Sequence, residues 1–230
     1  MTDNAHRADI LAVMGATGSG KSSAIRVNLE AKPPSRLLVW DLKGEYLAFG
    51  AACPNERSLY QGVARAGAGP FRLVFRPSFD QARGRVQFDL FCRIAHAAGD
   101  LTVIADELHR VMLANWSPAG WNLLVCMGRA RGVRIVAASQ RPAGIEKGFW
   151  DQATVIRSGR LNGEASARTV AGVLLVPWQE IVALPALHWI QRSIYRPVIA
   201  RGRVEWRGGL PSDALIAENP LPGAAPVSAS

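Results

Sequence analysis

Apolar runs separated by polar, glycine- and proline-marked breaks recur along this chain with the rhythm of an α/β protein. Ile10-Leu11-Ala12-Val13-Met14 is an uninterrupted apolar run of the length of a strand buried on both faces. Ser22 to Glu30 reads as a helix stopped by Lys32-Pro33-Pro34-Ser35, and Arg36-Leu37-Leu38-Val39-Trp40-Asp41 predicts a second strand ending in an acid. Residues 43 to 70 are loop-rich with short helical stretches, and the apolar and basic alternation of Phe71 to Arg76 predicts an edge-like strand. Phe88, Phe91, Ile94, Ala95 and Ala98 mark a helix over Gln87 to Ala98, ended by Gly99-Asp100 before a strand at Leu101 to Ala105. A helix over Pro118 to Arg129, then Gly132 and a strand at Val133 to Ser139, continue the alternation. Thr154 to Arg160, His188 to Ile194 and Val198 to Trp206 read as further short strands, with a helix near Glu164 to Val173. The pattern predicts an α/β fold: a mostly parallel central sheet sandwiched by helices, with extra short strands toward the C-terminus.

A chain of 230 residues with a hydrophobic fraction of 49% has room for one α/β domain with a large core, placed here at residues 9–207. It is flanked by a polar N-terminus, residues 1–8, expected to be flexible. A Gly-, Pro-, Ala- and Ser-rich tail, residues 208–230, is expected to be flexible or docked on a partner. The most apolar long stretch, Val170 to Ile190, is broken by Pro177, Gln179, Glu180 and Pro185, so no intrinsic membrane span is expected. Met1 to Asp9 carries no secretory core.

The turn after the first strand changes the picture from fold to chemistry. Gly15-Ala16-Thr17-Gly18-Ser19-Gly20-Lys21-Ser22, followed by Ser23, is a complete P-loop with a strand before it and a helix after it. Its glycines let successive backbone N–H groups wrap phosphates, Lys21 reaches the β and γ oxygens, and the Ser22 hydroxyl is a ligand for Mg²⁺. ATP and Mg²⁺ are the expected cofactors. The strand Leu101 to Ala105 then delivers Asp106-Glu107, the two carboxylates such a site needs opposite its phosphates. Asp106 is expected to hold Mg²⁺, directly or through water, and Glu107 to orient and deprotonate the attacking water. The plain alternative, a helix-capping Asp106 and a solvated Glu107, loses its force beside the P-loop.

Cys53, Cys92 and Cys126 are widely spaced and read as small buried hydrophobes, and His6, His96, His109 and His188 are as scattered, so no metal cluster is expected. The net charge of +9 suits a polyanionic partner, nucleic acid or an anionic membrane surface. Arg192, Arg196, Arg201, Arg203 and Arg207, with Tyr195 and Trp206, form one candidate basic surface; Arg72, Arg76, Arg83 and Arg85 form a second.

Two further segments make the reading more specific. Gly128-Arg129-Ala130-Arg131-Gly132-Val133-Arg134-Ile135-Val136-Ala137-Ala138-Ser139-Gln140-Arg141-Pro142 and Trp40-Asp41-Leu42-Lys43-Gly44-Glu45-Tyr46 resemble the corresponding stretches of the FtsK/HerA superfamily of DNA-pumping ATPases, in the right order with the P-loop and the acid pair. The resemblance covers roughly residues 9 to 160 and implies a RecA-like P-loop NTPase. It implies that Gln140 senses the γ-phosphate and that Arg129 is an arginine finger supplied to a neighbour's nucleotide. Arg131 is the rival finger, and Asp41, Lys43, Glu45 and Arg141 are further candidate positions. The implied assembly is a homo-oligomeric ring, a hexamer, acting on double-stranded DNA.

Within the superfamily the short chain resembles a minimal ATPase core, most similar to the genome-packaging ATPases of tectivirus-type icosahedral viruses with an internal membrane. That resemblance implies a motor driving the genome into a preformed procapsid, with portal-vertex or capsid proteins as partners. Its place is the host cytoplasm during assembly, or the packaging vertex of the virion. Two alternatives stay open: a filamentous-phage assembly ATPase of the Zot type or another minimal FtsK/HerA-type DNA pump, and a non-motor nucleotide switch or scaffold.

Overall fold

The computed structural model describes residues 10–207 and 210–213. Residues 1–8, expected as a flexible N-terminus, lie outside the described residues, as does the expected tail 208–230 apart from 210–213.

Seven strands run parallel: β1 (Ile10–Met14), β2 (Arg36–Trp40), β3 (Ala51–Cys53), β4 (Phe71–Phe75), β5 (Thr102–Ala105), β6 (Arg134–Ser139) and β7 (Val155–Gly159). Three antiparallel strands, β8 (His188–Ser193), β9 (Arg196–Arg207) and β10 (Leu210–Asp213), extend the sheet beyond β7. The full order is β10-β9-β8-β7-β1-β6-β5-β2-β4-β3. Seven helices connect them: α1 (Lys21–Ala31), α2 (Glu56–Ala66), α3 (Gln81–Ala98), α4 (Ala119–Met127), α5 (Lys147–Gln152), α6 (Glu164–Leu174) and α7 (Trp178–Ala183).

The apolar runs explain the layers. Along β1, Ile10, Ala12 and Met14 face one core and Leu11 and Val13 the other, the period of two that a central strand imposes. The first core is the larger: α2 to α7 all contribute to it, and its centre is aromatic, with the Trp40 ring edge-on to Phe88 at 4.9 Å and to Phe91 at 5.6 Å. The second core is built by α1 through Ile25 and Leu29, and by Tyr46 with Phe49 packed beside it. The sandwich is therefore unequal, with one helix on this face and six on the other.

Some boundaries differ from the sequence pattern for physical reasons. The helix expected at Gln87 begins at Gln81, because Asp80 caps it by accepting the Arg83 N–H at 2.7 Å. The strand Phe71–Phe75 is not the edge: three-residue β3 pairs beyond it, too short to leave a sequence signature. Cys126 is exposed on α4 rather than buried, while Cys53 and Cys92 are buried. Leu210–Asp213, in the expected tail, pairs with Val204–Arg207. Among the described residues no helix is long and apolar enough to cross a membrane.

Candidate nucleotide site

Because β1, β2, β5 and β6 are parallel neighbours, whatever follows each strand gathers at one edge of the sheet. The P-loop follows β1, Asp41 follows β2, Asp106-Glu107 follow β5 and Gln140 follows β6. Sequence positions 100 residues apart thus become one site, beneath a cleft of about 690 Å³ lined by Ala16, Thr17, His109, Gln140, Arg141 and Asn162, among others.

The P-loop is fixed at both ends by backbone hydrogen bonds, Gly15 N–H to the Ser139 carbonyl at 3.2 Å and Ala16 N–H to the Arg160 carbonyl at 2.8 Å. Gly15 has φ 155°, and a Cβ there would overlap the Ser19 hydroxyl. Gly20, at φ 89°, is the left-handed residue from which α1 starts, with Lys21, Ser22 and Ser23 in its first turn. Lys21 is buried, and burial lowers its pKa, opposed by the charges of Asp106 and Glu107. The Ser19 hydroxyl is buried with no protein partner, an orphan that a phosphate oxygen fits. Sequence reasoning missed Gly159 at the end of β7: a Cβ there would stand 2.9 Å from the Ser19 Cβ, so a bare backbone is what lets the P-loop sit against this strand.

Asp106 is held by backbone alone: its N–H donates to the Trp40 carbonyl at 3.3 Å and its Oδ1 accepts the Glu107 N–H at 2.9 Å. Burial, and then the charge of Glu107, raise its pKa to about 7. A buried carboxyl destabilised as an anion is a fitting ligand for a divalent cation, and the buried Glu45 Oε2 beside it lacks a protein partner too. Ser22, Asp106 and Glu45 are the residues that would hold Mg²⁺.

Glu107 is the hub of the site. It occupies the left-handed region (φ 55°, ψ 43°), which throws its buried side chain toward β2 and β6 instead of along the chain. Lys43 Nζ pairs with its Oε1, Gln140 Nε2 donates to the same oxygen at 2.6 Å, and His109 Nδ1 lies 3.3 Å from Oε2. Gln140 in turn accepts from the Thr17 hydroxyl at 2.9 Å, which closes a chain from the P-loop to Glu107. Burial pulls the Lys43 pKa down, but its hydrogen bond to Glu107 and that residue's charge outweigh this, and the net shift is upward. Burial lowers the His109 pKa, against the raising effect of the Glu107 charge. Its contact with Glu107 was not legible in a set of histidines that looked scattered.

Asp41 does not face the phosphates. Its Oδ1 accepts the Gly44 and Glu45 N–H groups at 2.7 and 3.0 Å and its Oδ2 the Tyr46 N–H at 2.9 Å, so it shapes the loop that delivers Lys43 and Glu45. Arg141 is exposed at the cleft, its N–H bonded to the Ser139 hydroxyl at 3.1 Å.

The two candidate fingers lie elsewhere. Both sit on the turn Gly128–Arg131, which leads into β6 at the edge opposite the P-loop, roughly 17 Å away along six strand residues. Arg131 is committed within its own chain, donating from Nη2 to the Ala97 carbonyl at 2.9 Å and from Nε to the His96 carbonyl at 3.4 Å at the end of α3. Arg129 is exposed on the same turn. The basic groups expected to form patches are divided as well. Arg192 donates to the Val173 carbonyl at 3.0 Å and Arg201 pairs with Glu180 at 2.7 Å, while the side chains of Arg196, Trp206 and Arg207 lie outside the described residues. Arg72 bonds the Pro34 carbonyl at 2.9 Å at the far edge, separated from Arg76, Arg83 and Arg85 near the nucleotide edge.

A P-loop, an acid pair and a glutamine on adjacent parallel strands, with strand order β7-β1-β6-β5-β2, define a RecA-like P-loop NTPase fold. The chain is 33% identical over 181 residues to protein P9 of Pseudoalteromonas phage PM2, covering 75% of this chain and 78% of that protein. It belongs to the same family as that phage protein. No family model matches it. Among solved structures, its fold is similar to B204, the DNA-packaging ATPase from Sulfolobus turreted icosahedral virus, with TM-score 0.68, 17% identity and coverage of 86% of this chain and 98% of B204. It is also similar to the bacterial conjugative coupling protein TrwB, with TM-score 0.64, 13% identity and coverage of 90% and 87%.

Proposed function

We propose that this ATPase is a motor that drives a double-stranded viral DNA genome into a preformed procapsid, as a homo-oligomeric ring, a hexamer, whose nucleotide sites are shared between neighbours. The observation that carries this reading is a division of labour: Thr17, Gln140 and Glu107 form one hydrogen-bonded chain at the nucleotide edge, while Arg129 lies at the opposite edge and reaches no nucleotide of its own subunit. The likeness in fold to a DNA-packaging ATPase and to a conjugative coupling protein supports DNA as the cargo. Portal-vertex or capsid proteins are its natural docking partners, met in the host cytoplasm or at the packaging vertex.

The chemistry follows from the side chains. P-loop N–H groups and Lys21 bind the phosphates of ATP, and the low-dielectric setting of Lys21 strengthens its pull on the γ oxygens. Ser22, Asp106 and Glu45 would hold Mg²⁺, which would supply positive charge against the phosphate oxygens. Glu107 orients a water and takes its proton; Lys43 and His109 fix the carboxylate, and Gln140 links its position to the occupant of the P-loop. Arg129 of a neighbour then stabilises the charge on the transferring phosphoryl group.

The deciding measurement is ATP turnover with and without duplex DNA: stimulation is expected, and its absence would favour a nucleotide switch. Mixing Arg129→Ala with Lys21→Ala subunits is expected to restore part of the activity, because each supplies what the other lacks; no rescue at any ratio counts against sharing.

A further inference from the structure

The turn that carries Glu107 continues onto the protein surface. The Glu107 carbonyl accepts the Arg110 N–H at 2.9 Å, so the two residues belong to one tight turn. The Arg110 side chain leaves that turn and donates from Nη2 to the Phe79 carbonyl at 3.3 Å, while Gln81 Nε2 donates back to the Arg110 carbonyl at 3.2 Å. Two reciprocal hydrogen bonds thus join the turn bearing the base to the start of α3. A second connection runs through Arg76, which packs against Gly44, the neighbour of Lys43: a Cβ on Gly44 would lie 3.1 Å from Arg76 Nη1.

The surface reached in this way has the composition of a nucleic-acid contact. Phe79 is 67%, Val86 72% and Trp116 43% exposed. Arg76, Arg83 and Arg110 are exposed cations between them, and the Arg85 guanidinium stacks over Trp116 at 5.4 Å. The nearby acids are engaged within the chain, Asp80 as the cap of α3 and Glu56 with Gln87 Nε2 at 2.8 Å. Four arginines against two carboxylates that keep their charge leave the patch net positive, which favours a polyanion, and a second copy of a chain of net charge +9 is the poorer electrostatic match.

We propose that this surface, centred on Arg83 and Arg110, contacts the phosphate backbone of DNA and transmits that contact to Glu107. The inference rests on the DNA-motor reading and adds to it where the DNA is felt. A phosphate competes with the Phe79 carbonyl for Arg110, and a displaced turn changes how Glu107 meets Lys43 and Gln140. DNA arrival and catalytic competence are thereby linked through three residues of sequence.

The experiment uses the full chain and a duplex of mixed sequence, with DNA affinity measured across a salt series, ATP turnover measured against DNA concentration, and sedimentation measured alongside. Arg83→Ala is expected to lower the slope of log affinity against log salt by about 1, and Arg83→Glu, at the same exposed position, to weaken binding further. Arg110→Ala is expected to bind DNA yet lose the stimulation of turnover; Arg65→Ala, an exposed charge on α2, controls for net charge. Wild-type binding with unchanged slope and stimulation in Arg83→Ala and Arg110→Ala overturns the proposal and leaves the motor reading intact. A changed assembly size with unchanged DNA affinity assigns the surface to a subunit contact and overturns it too. Wild-type protein with neither binding nor stimulation overturns both.

Discussion

Gln140 and Glu107 share a 2.6 Å hydrogen bond, amide to carboxylate, between the ends of adjacent strands β6 and β5. Because Gln140 also accepts from Thr17, the P-loop and Glu107 have a common polar partner. Glu107→Gln is therefore expected to keep ATP binding and lower kcat by about 10²- to 10⁴-fold, the range of a lost general base. Gln140→Ala is expected to lower kcat with a smaller change in nucleotide affinity. Single-turnover hydrolysis beside equilibrium nucleotide binding checks both; unchanged turnover in Glu107→Gln would remove it from the mechanism.

Asp106 gives a pH dependence whose direction is fixed by its environment. An unfolded carboxyl loses its proton near pH 3.8 and the folded one near 7, so between those values unfolding releases a proton and stability falls as pH rises. Asp106→Asn removes this cost. In nucleotide-free, metal-free protein the variant is expected to gain on the wild type from pH 5 to about pH 7 and to hold that gain to pH 8, by at most about 3 kcal/mol from two pH units. Denaturant unfolding at the two pH values measures it, and a gap that does not widen contradicts the shift.

Arg129 and Arg131 should separate into function and stability. Arg131→Ala removes two hydrogen bonds from the end of α3 and is expected to cost about 1 kcal/mol in unfolding free energy. Arg129→Ala is expected to keep nucleotide binding and to abolish turnover in the assembled protein. If Arg131→Ala alone abolishes turnover at unchanged stability, the two roles are reversed.

Gly15→Ala tests the P-loop turn. The new Cβ meets Ser19 at a φ that side chains rarely adopt, so a loss of about 1–3 kcal/mol in stability and much weaker ATP binding are expected. Thermal unfolding with and without ATP shows it: the variant should lose most of the shift that the ligand gives the wild type.

By itself the sequence determined the parts that depend on local backbone and on adjacent residues: the P-loop between an apolar strand and a helix, the acid pair at a strand end, the alternation that makes an α/β sheet. Phosphate binding is written into consecutive N–H groups, so a run of nine residues is enough to read it. The tertiary structure decided everything that depends on strand order. Trp40 and Ala105 stand in register on β2 and β5, and only that pairing brings Lys43 to Glu107. The left-handed backbone at Glu107 draws in His109, which no spacing rule singles out. The arginines needed the fold most, because, of two residues in one motif, only the fold shows that Arg131 is bonded to the end of α3. Side-chain direction and strand neighbours are properties of the packed sheet, and a linear pattern carries neither.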